Sequence, residues 1–320
     1  MRVIRGLHNL RSGHRGCVAT IGNFDGVHLG HQAVLRLLLE KADELKLPAT
    51  VITFEPQPQE FFSAQQAPAR LTRMREKLSA LSDVGIGQVV VLEFGQKLAE
   101  MSAPEFVRRL LLDGLGVRYL FVGDDFRFGK GRSGDIGLLR DVGNRQGFVV
   151  ESMNTFVVGD ERVSSTRIRE LLAAGDLGLA ARYLGRPYRI CGRVAHGDAR
   201  GRTIGYPTAN INLHRRVSPL RGVYAVMVHG LNPEPISGVA NIGTRPTVAG
   251  DSRYLLEVHL FDFQREIYRQ HIQVEFKKKI RDERRFSSFE ALRQQIELDS
   301  QTARSFFNRP LTKLEGTGRD

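Results

Sequence analysis

Gly22-Asn23-Phe24-Asp25-Gly26-Val27-His28-Leu29-Gly30-His31 follows an apolar run, Cys17-Val18-Ala19-Thr20-Ile21, and leads into Gln32-Ala33-Val34-Leu35-Arg36-Leu37-Leu38-Leu39-Glu40. The run before it reads as a buried strand. The run after it, rich in long side chains, reads as a helix. Two histidines therefore stand in a glycine-rich strand-to-helix turn, where the first helical N–H groups are unpaired and the helix dipole favours an anion. The glycines let backbone approach a ligand closely, and the histidines add donors, and charge when protonated. These are the requirements of phosphate chemistry.

Taken singly, the parts have plainer readings. Each histidine by itself reads first as a residue that caps and packs the turn. A zinc site lacks a third Cys, His or acidic ligand at the required spacing. A dinucleotide fingerprint fails because G-x-G-x-x-G is absent. The decamer as a whole resembles the H-x-G-H signature of the nucleotidylyltransferase superfamily, in the form G-N-F-D-G-V-H-x-G-H of bacterial FAD synthetases. That resemblance implies catalytic roles for His28 and His31, which stabilise a nucleoside triphosphate attacked at its α-phosphorus. It also implies ATP contacts from Gly22, Phe24, Asp25 and Gly26.

Outward from the turn, strand-like and helix-like runs alternate to about residue 153. Strands are expected at Cys17–Ile21, Ala49–Phe54, Val89–Phe94, Arg118–Val122 and Phe148–Ser152, with helices such as Thr72–Leu81 and Pro104–Leu112 between them. Ser102-Ala103-Pro104-Glu105 opens the latter as a capping box with proline in the first turn. Such alternation predicts a Rossmann-like parallel sheet with helices on both faces, its ligands beyond the strands' carboxyl ends.

Three further segments belong to that edge. Phe54-Glu55-Pro56-Gln57-Pro58-Gln59-Glu60-Phe61-Phe62 is a loop stiffened by two prolines. Alone it reads equally as a surface loop over a buried Phe pair. The family resemblance makes it flavin-contacting, with Pro56 and Phe62 named, and Arg70-Leu71-Thr72 and Glu76-Lys77 also match. Val122-Gly123-Asp124-Asp125-Phe126-Arg127-Phe128-Gly129-Lys130-Gly131 is not a P-loop, because Gly131 stands where Ser or Thr is required. It resembles the family's V-G-x-D-F-x-F-G segment, which implies flavin contacts from Asp125, Phe126 and Phe128. Val163-Ser164-Ser165-Thr166-Arg167-Ile168-Arg169 opens a helix whose hydroxyls either cap it or hold a triphosphate. It matches the superfamily's second signature, S-S-T-x-x-R, and Ser164, Ser165, Thr166 and Arg167 are expected at ATP.

Ala173 to Gly185 reads as a helical linker, and the pattern then changes. Runs at Tyr188–Ala195, Gly222–Val228, Ile236–Ile242, Tyr254–Phe261 and Ile272–Phe276, separated by Gly/Pro/Asn turns, predict an antiparallel barrel or sandwich. One helix closes the chain, from a capping box at Ser287-Ser288-Phe289-Glu290 to about Phe307. The expected domains are residues 1–185 and 186–320.

Gly192-Arg193-Val194-Ala195-His196-Gly197-Asp198-Ala199-Arg200-Gly201-Arg202-Thr203-Ile204-Gly205-Tyr206-Pro207-Thr208-Ala209-Asn210 reads either as a hairpin loop or as a flexible cover over phosphates. Thr208 and Asn210 are hard-oxygen donors one residue apart, suited to Mg²⁺ beside those phosphates. The segment resembles the G-Y/F-P-T-A-N motif of riboflavin kinases, and Gly222-Val223-Tyr224 and Val239-Ala240-Asn241-Ile242-Gly243-Thr244-Arg245-Pro246 match as well. The resemblance implies ATP contacts from Gly197, Gly201, Arg202, Gly205 and Pro207. Glu257 sits in the apolar strand Tyr254-Leu255-Leu256-Glu257-Val258-His259-Leu260, where alternation alone would turn it to solvent. In riboflavin kinases the matching glutamate is the catalytic base. Arg281 and Phe286 fit the family's flavin-covering segment, while Lys277–Lys279 reads by itself as a solvated charge run.

From about Gly16 to Phe307 the chain thus resembles the bacterial bifunctional riboflavin kinase/FAD synthetase family. The implied reactions are riboflavin and ATP giving FMN and ADP, then FMN and ATP giving FAD and pyrophosphate, with Mg²⁺ as cofactor. Composition agrees. The chain has 320 residues, 41% hydrophobic and 26% charged, enough for two cores. Cys17 and Cys191 do not make a disulfide framework. No apolar run reaches the roughly 18–20 residues of a membrane span, and the N-terminus lacks a signal-peptide core, so a cytoplasmic enzyme without a membrane partner is expected. Residues 1–185 carry a net +3 and residues 186–320 a net +9. The basic half raises a nucleic-acid-binding barrel as the rival class, which requires exposed aromatics among the basic residues. A rival enzyme keeps nucleotidyl transfer but changes the acceptor. The kinase motifs favour small-molecule substrates, riboflavin, FMN and ATP, and no nucleic acid; oligomeric state is not legible.

Overall fold

The computed structural model describes residues 1–153, 156–159, 161–196, 206–213, 215–246 and 252–308. The chain divides into two compact units: residues 1–170 with 182–186, and residues 171–181 with 187 onward. No described helix is long and apolar enough to cross a membrane.

In the first unit six strands form one sheet: β1 (Arg2–Arg5), β2 (Cys17–Ile21), β3 (Ala49–Glu55), β4 (Gln88–Glu93), β5 (Val117–Gly123) and β6 (Val149–Met153). Every pairing is parallel, in the order β1-β4-β3-β2-β5-β6. The chain moves outward from β2 through β3 to β4, then returns to lay β5 and β6 on the other side of β2. That reversal opens a crevice at the carboxyl end of β2, where the decamer begins.

Helices cover both faces, α1 (Leu29–Leu45) and α3 (Met74–Asp83) on one, and α4 (Gln96–Ala99), α5 (Ala103–Phe106) and α6 (Ile136–Gln146) on the other; α2 (Pro58–Phe62) follows β3, and α7 (Ser165–Ala174) contains the boundary between the two units. Cys17, Ala19 and Ile21 pack with Phe106, Leu110 and Leu139 on one face. Val18 and Val51 pack with Leu35, Leu38 and Leu81 on the other. Successive strand residues serve opposite cores, which is why β2 is buried along its whole length and reads as a continuous apolar run.

Three details depart from the sequence reading. β1 has charged ends and was not expected as a strand. α3 begins at Met74 rather than Thr72, because Thr72 is committed elsewhere and the Arg73 N–H is taken by the Glu76 carboxylate at 2.6 Å. α5 starts at Ala103, with Ser102 Oγ accepting from the Glu105 N–H at 3.3 Å, and continues as a π-helical stretch over Val107–Gly114.

A two-residue hairpin, β7 (Val157–Val158) and β8 (Glu161–Arg162), precedes α7, and α8 (Leu177–Leu184) follows it. The second unit is a closed antiparallel barrel of β9 (Arg189–Ala195), β10 (Ala209–Asn212), β11 (Gly222–His229), β12 (Ile236–Pro246), β13 (Ser252–Leu260) and β14 (His271–Arg281). Ile190, Ile211, Tyr224, Val226, Leu256 and Phe276 are all buried inside it. Outside, Val223, Ala225, Val239 and Phe261 pack on Ala303 of the final helix, α9 (Phe289–Phe307). Its cap is Ser288, whose Oγ accepts from the Ala291 N–H at 3.1 Å, one residue later than a box closed by Glu290 requires. β10 was missed because its Ala-Asn-Ile-Asn sequence reads as part of the metal motif. β14 absorbs the Lys277–Lys279 run, whose first two side chains are exposed.

Candidate functional site

The turn after β2 is held by backbone that few residues adopt. Phe24, Gly26 and Val27 have φ of 47°, 86° and 42°. For a β-branched residue such as Val27 this is strained, and strain of this kind persists only where surroundings impose it. The imposing groups are identifiable. Gly22 N–H bonds Ile52 O at 3.0 Å. The Gly26 N–H donates to Thr72 Oγ1 at 2.9 Å, and Gly26 O accepts from Arg186 at 2.7 Å. Asp25, 2% exposed, accepts from the Leu71 and Thr72 N–H groups, the Thr72 hydroxyl and Arg169 Nη2 at 2.6 Å. Asp25 is therefore a brace inside the protein, fully supplied with donors of its own.

His28 caps α1, its Nδ1 accepting from the His31 N–H at 3.4 Å. The two rings stack with centroids 3.6 Å apart, and buried Phe24 lies 5.0 Å beyond His31. A Cβ at Gly30 would come within 3.2 Å of His28 Nδ1, so glycine there lets the ring lie on the first turn. Burial pushes the His28 imidazole down to about 4, Asp25 opposing and Arg169 and Arg186 assisting. Burial, then His28 and Lys77, hold His31 well below its usual range. Both rings are neutral at pH 7 in the free protein. His31 Nδ1 is buried without a hydrogen-bond partner among the described residues. Capping and ligand-facing readings of these histidines thus coexist: one nitrogen caps, another is left over.

Ser164 Oγ caps α7 by accepting from the Arg167 N–H at 3.2 Å, and Ser165 Oγ donates to Asp25 O at 2.9 Å. Thr166 is exposed. Arg167 turns outward to Glu161 and Glu170, both at 3.3 Å. The arginine brought to the turn is Arg169, which also donates to Ala69 O at 2.6 Å. Counting S-S-T-x-x-R along the chain reaches Arg169, so the signal was present in the spacing. Arg70 forks between Glu55, at 2.9 and 3.0 Å, and Glu60, tying β3 to α2.

The expected flavin contacts divide. Phe62 is 67% exposed at the end of α2, with Phe61 and Phe94 ring-to-ring at 5.3 and 5.6 Å. Half-buried Pro56 lies just before that helix. Phe126 stacks on Phe128 at 5.6 Å, but Phe128 is buried against Phe106 and is a core residue here. Asp125 is exposed and paired with Arg162 at 3.6 Å.

On the barrel, strand register brings distant residues together. Asn210 stands opposite Glu257, Glu257 opposite Asn241, Asn241 opposite Val223, and Val223 opposite Arg281. Directly opposed residues share a face, about 4.5–5.5 Å apart at Cβ. One row across five strands thus holds the expected metal ligand, the expected base and the expected flavin contact. Glu257 is half-buried between two asparagines. Asn241 was not singled out, although it stands in a segment matched to the kinase family. Asn210 Nδ2 donates to Thr208 O at 3.3 Å, and His259 Nδ1 lies 3.0 Å from Pro207 O. Arg281 forks onto Asp299 of α9 at 2.7 to 3.0 Å and lies over Phe286 at 5.7 Å. Gly197, Gly201, Arg202 and Gly205 lie outside the described residues.

Among the described residues no group of three or more His, Cys, Asp or Glu side chains is placed to hold a metal. The hydroxyl of Thr208 and amide oxygen of Asn210 suit Mg²⁺, which keeps several waters and takes much of its coordination from substrate phosphates.

The FAD synthetase family model matches residues 10–167, and the riboflavin kinase model matches residues 184–307. A bifunctional riboflavin kinase/FMN adenylyltransferase of Haemophilus influenzae is 53% identical over 96% of this chain and 100% of its own. That of Escherichia coli is 53% identical over 98% and 99%. A crystal structure described as a macrolide-efflux protein from Streptococcus pneumoniae superposes with a TM-score of 0.78 at 29% identity, covering 95% of this chain and 99% of that one. With both family models matched in order and relatives of this similarity along nearly its whole length, the chain belongs to the family of bifunctional riboflavin kinase/FMN adenylyltransferases.

Proposed function

We propose that the barrel phosphorylates riboflavin with ATP, giving FMN and ADP, and that the parallel-sheet unit adenylylates FMN with a second ATP, giving FAD and pyrophosphate. The observation that carries this reading is the cross-strand row in which Glu257 stands between Asn210 and Asn241, on the chain that also carries the stacked histidine pair.

The two nucleophiles explain why the sites differ. A ribityl hydroxyl must lose its proton as its oxygen attacks the γ-phosphorus, and Glu257 accepts that proton. Asp299 orients Arg281, which with Phe286 covers the flavin. Thr208 and Asn210 would hold Mg²⁺, whose contribution is neutralisation of phosphate charge beside Glu257. In the second reaction the nucleophile is an FMN phosphate oxygen, already anionic, so no base is required. Alignment and donors suffice: the α1 N–H groups, His28 and His31, with Arg169 and Asp25 holding the turn. Arg167 reaches ATP only by leaving Glu161 and Glu170. Exposed Phe62, with half-buried Pro56 before it, presents an apolar edge for the flavin ring.

The test is incubation with riboflavin, ATP and Mg²⁺, with FMN and FAD separated over time. FMN should appear first and FAD after it, and supplied FMN should yield FAD with one pyrophosphate each. No FMN from riboflavin overturns the kinase assignment, and no FAD from supplied FMN overturns the other.

A further inference from the structure

The most deeply buried ammonium in the first unit has no role in the account above. Lys77, on α3, is 1% exposed, and with Leu81 it forms the buried side of that helix. A leucine would fill the space without the desolvation cost of a charge. Lys77 Nζ donates to Thr53 Oγ1 at 3.4 Å, its one hydrogen bond among the described residues. Thr53, wholly buried in β3, donates its own hydroxyl hydrogen bond to Asn23 O at 3.3 Å. Asn23 is the second residue of the histidine-bearing turn. Two hydrogen bonds in series thus link α3 through β3 to the peptide between Asn23 and Phe24.

Burial is the largest influence on the Lys77 ammonium and brings it down to about 8; Asp25 of the turn, Glu55 of β3 and Glu60 of α2 oppose that shift, and Arg70 adds to it. On the turn side, Asp25 is itself held by Arg169.

We propose that Lys77 is a positioning residue of adenylyl transfer, bracing the Asn23 carbonyl through Thr53. The inference rests on reading the turn as the adenylyl-transfer site.

The experiment compares Lys77→Met, Thr53→Val and Thr53→Ser in the full chain, with FMN supplied. Lys77→Met should lower kcat for FAD formation roughly 10- to 100-fold without raising KM for ATP. Thr53→Val should lower kcat in the same way, and Thr53→Ser, which keeps the hydroxyl, should restore the rate, a rescue that a packing role alone would not give. Wild-type kcat in Lys77→Met overturns the proposal. Should Lys77→Met not fold, equal rates for Thr53→Val and Thr53→Ser overturn it instead. A wild-type protein that makes no FAD from FMN would sink the underlying assignment, a separate outcome.

Discussion

At the scale of the residue, the histidine pair shows how burial decides chemistry. His28, held at about 4 by desolvation, and His31, lower still than its usual range, are uncharged donors over the whole physiological range. Their charged forms appear only as pH falls, so the free protein should show neither imidazole titrating between pH 6 and 8 by NMR. A midpoint near 6.5 for either would contradict the burial described. The sequence made the pair legible because histidines at that spacing within glycines are rare in combination. It did not make Asp25 legible as a brace. Its four donors come from residues 71, 72 and 169, and nothing local to Asp25 announces them. Arg169, by contrast, was legible from the spacing of S-S-T-x-x-R; it faces the turn, while Arg167, two residues earlier, faces outward to Glu161 and Glu170.

At the scale of the element, the central strands were legible because burial on both faces leaves little but apolar residues. β1 and β10 were not. One is a charged edge strand, and the other alternates alanine and isoleucine with asparagine, so that turn-forming and strand-forming signals overlap. α3 was found, but not that its buried side contains a lysine. Lys77 supplies a linkage prediction for this helix. Its native value of about 8 lies below the ordinary 10.5, so between those values the unfolded chain binds the proton that the folded chain has released. Stability from this group is therefore complete above about 10.5 and is lost as pH falls through about 8. Melting curves of wild type and Lys77→Met should show wild type gaining relative to the variant as pH rises from 8 towards 10. A constant gap would mean that Lys77 is not desolvated as described.

At the scale of the whole molecule, the change from alternating strand and helix to strands separated by turns marked two architectures correctly. The helical stretch 171–181, read as part of the first half, groups with the barrel. What no sequence pattern conveyed was the register that sets Asn210, Glu257, Asn241, Val223 and Arg281 in one row, because cross-strand partners are separated by as much as 58 residues, as in the pair of Val223 and Arg281. That row and the histidine turn embody the central claim, that one chain runs two phosphate chemistries in two independent sites. The most direct test is a paired assay of Glu257→Gln and His31→Ala, each given riboflavin with ATP and, separately, FMN with ATP. Glu257→Gln keeps size and one acceptor oxygen but loses the proton-accepting carboxylate, worth roughly 10²–10⁴ in rate. His31→Ala loses one transition-state donor, worth roughly 10²–10³. The account predicts that Glu257→Gln fails to make FMN yet converts supplied FMN to FAD, while His31→Ala makes FMN and stops there. Loss of both activities in either variant, or near wild-type rates in both, would contradict it.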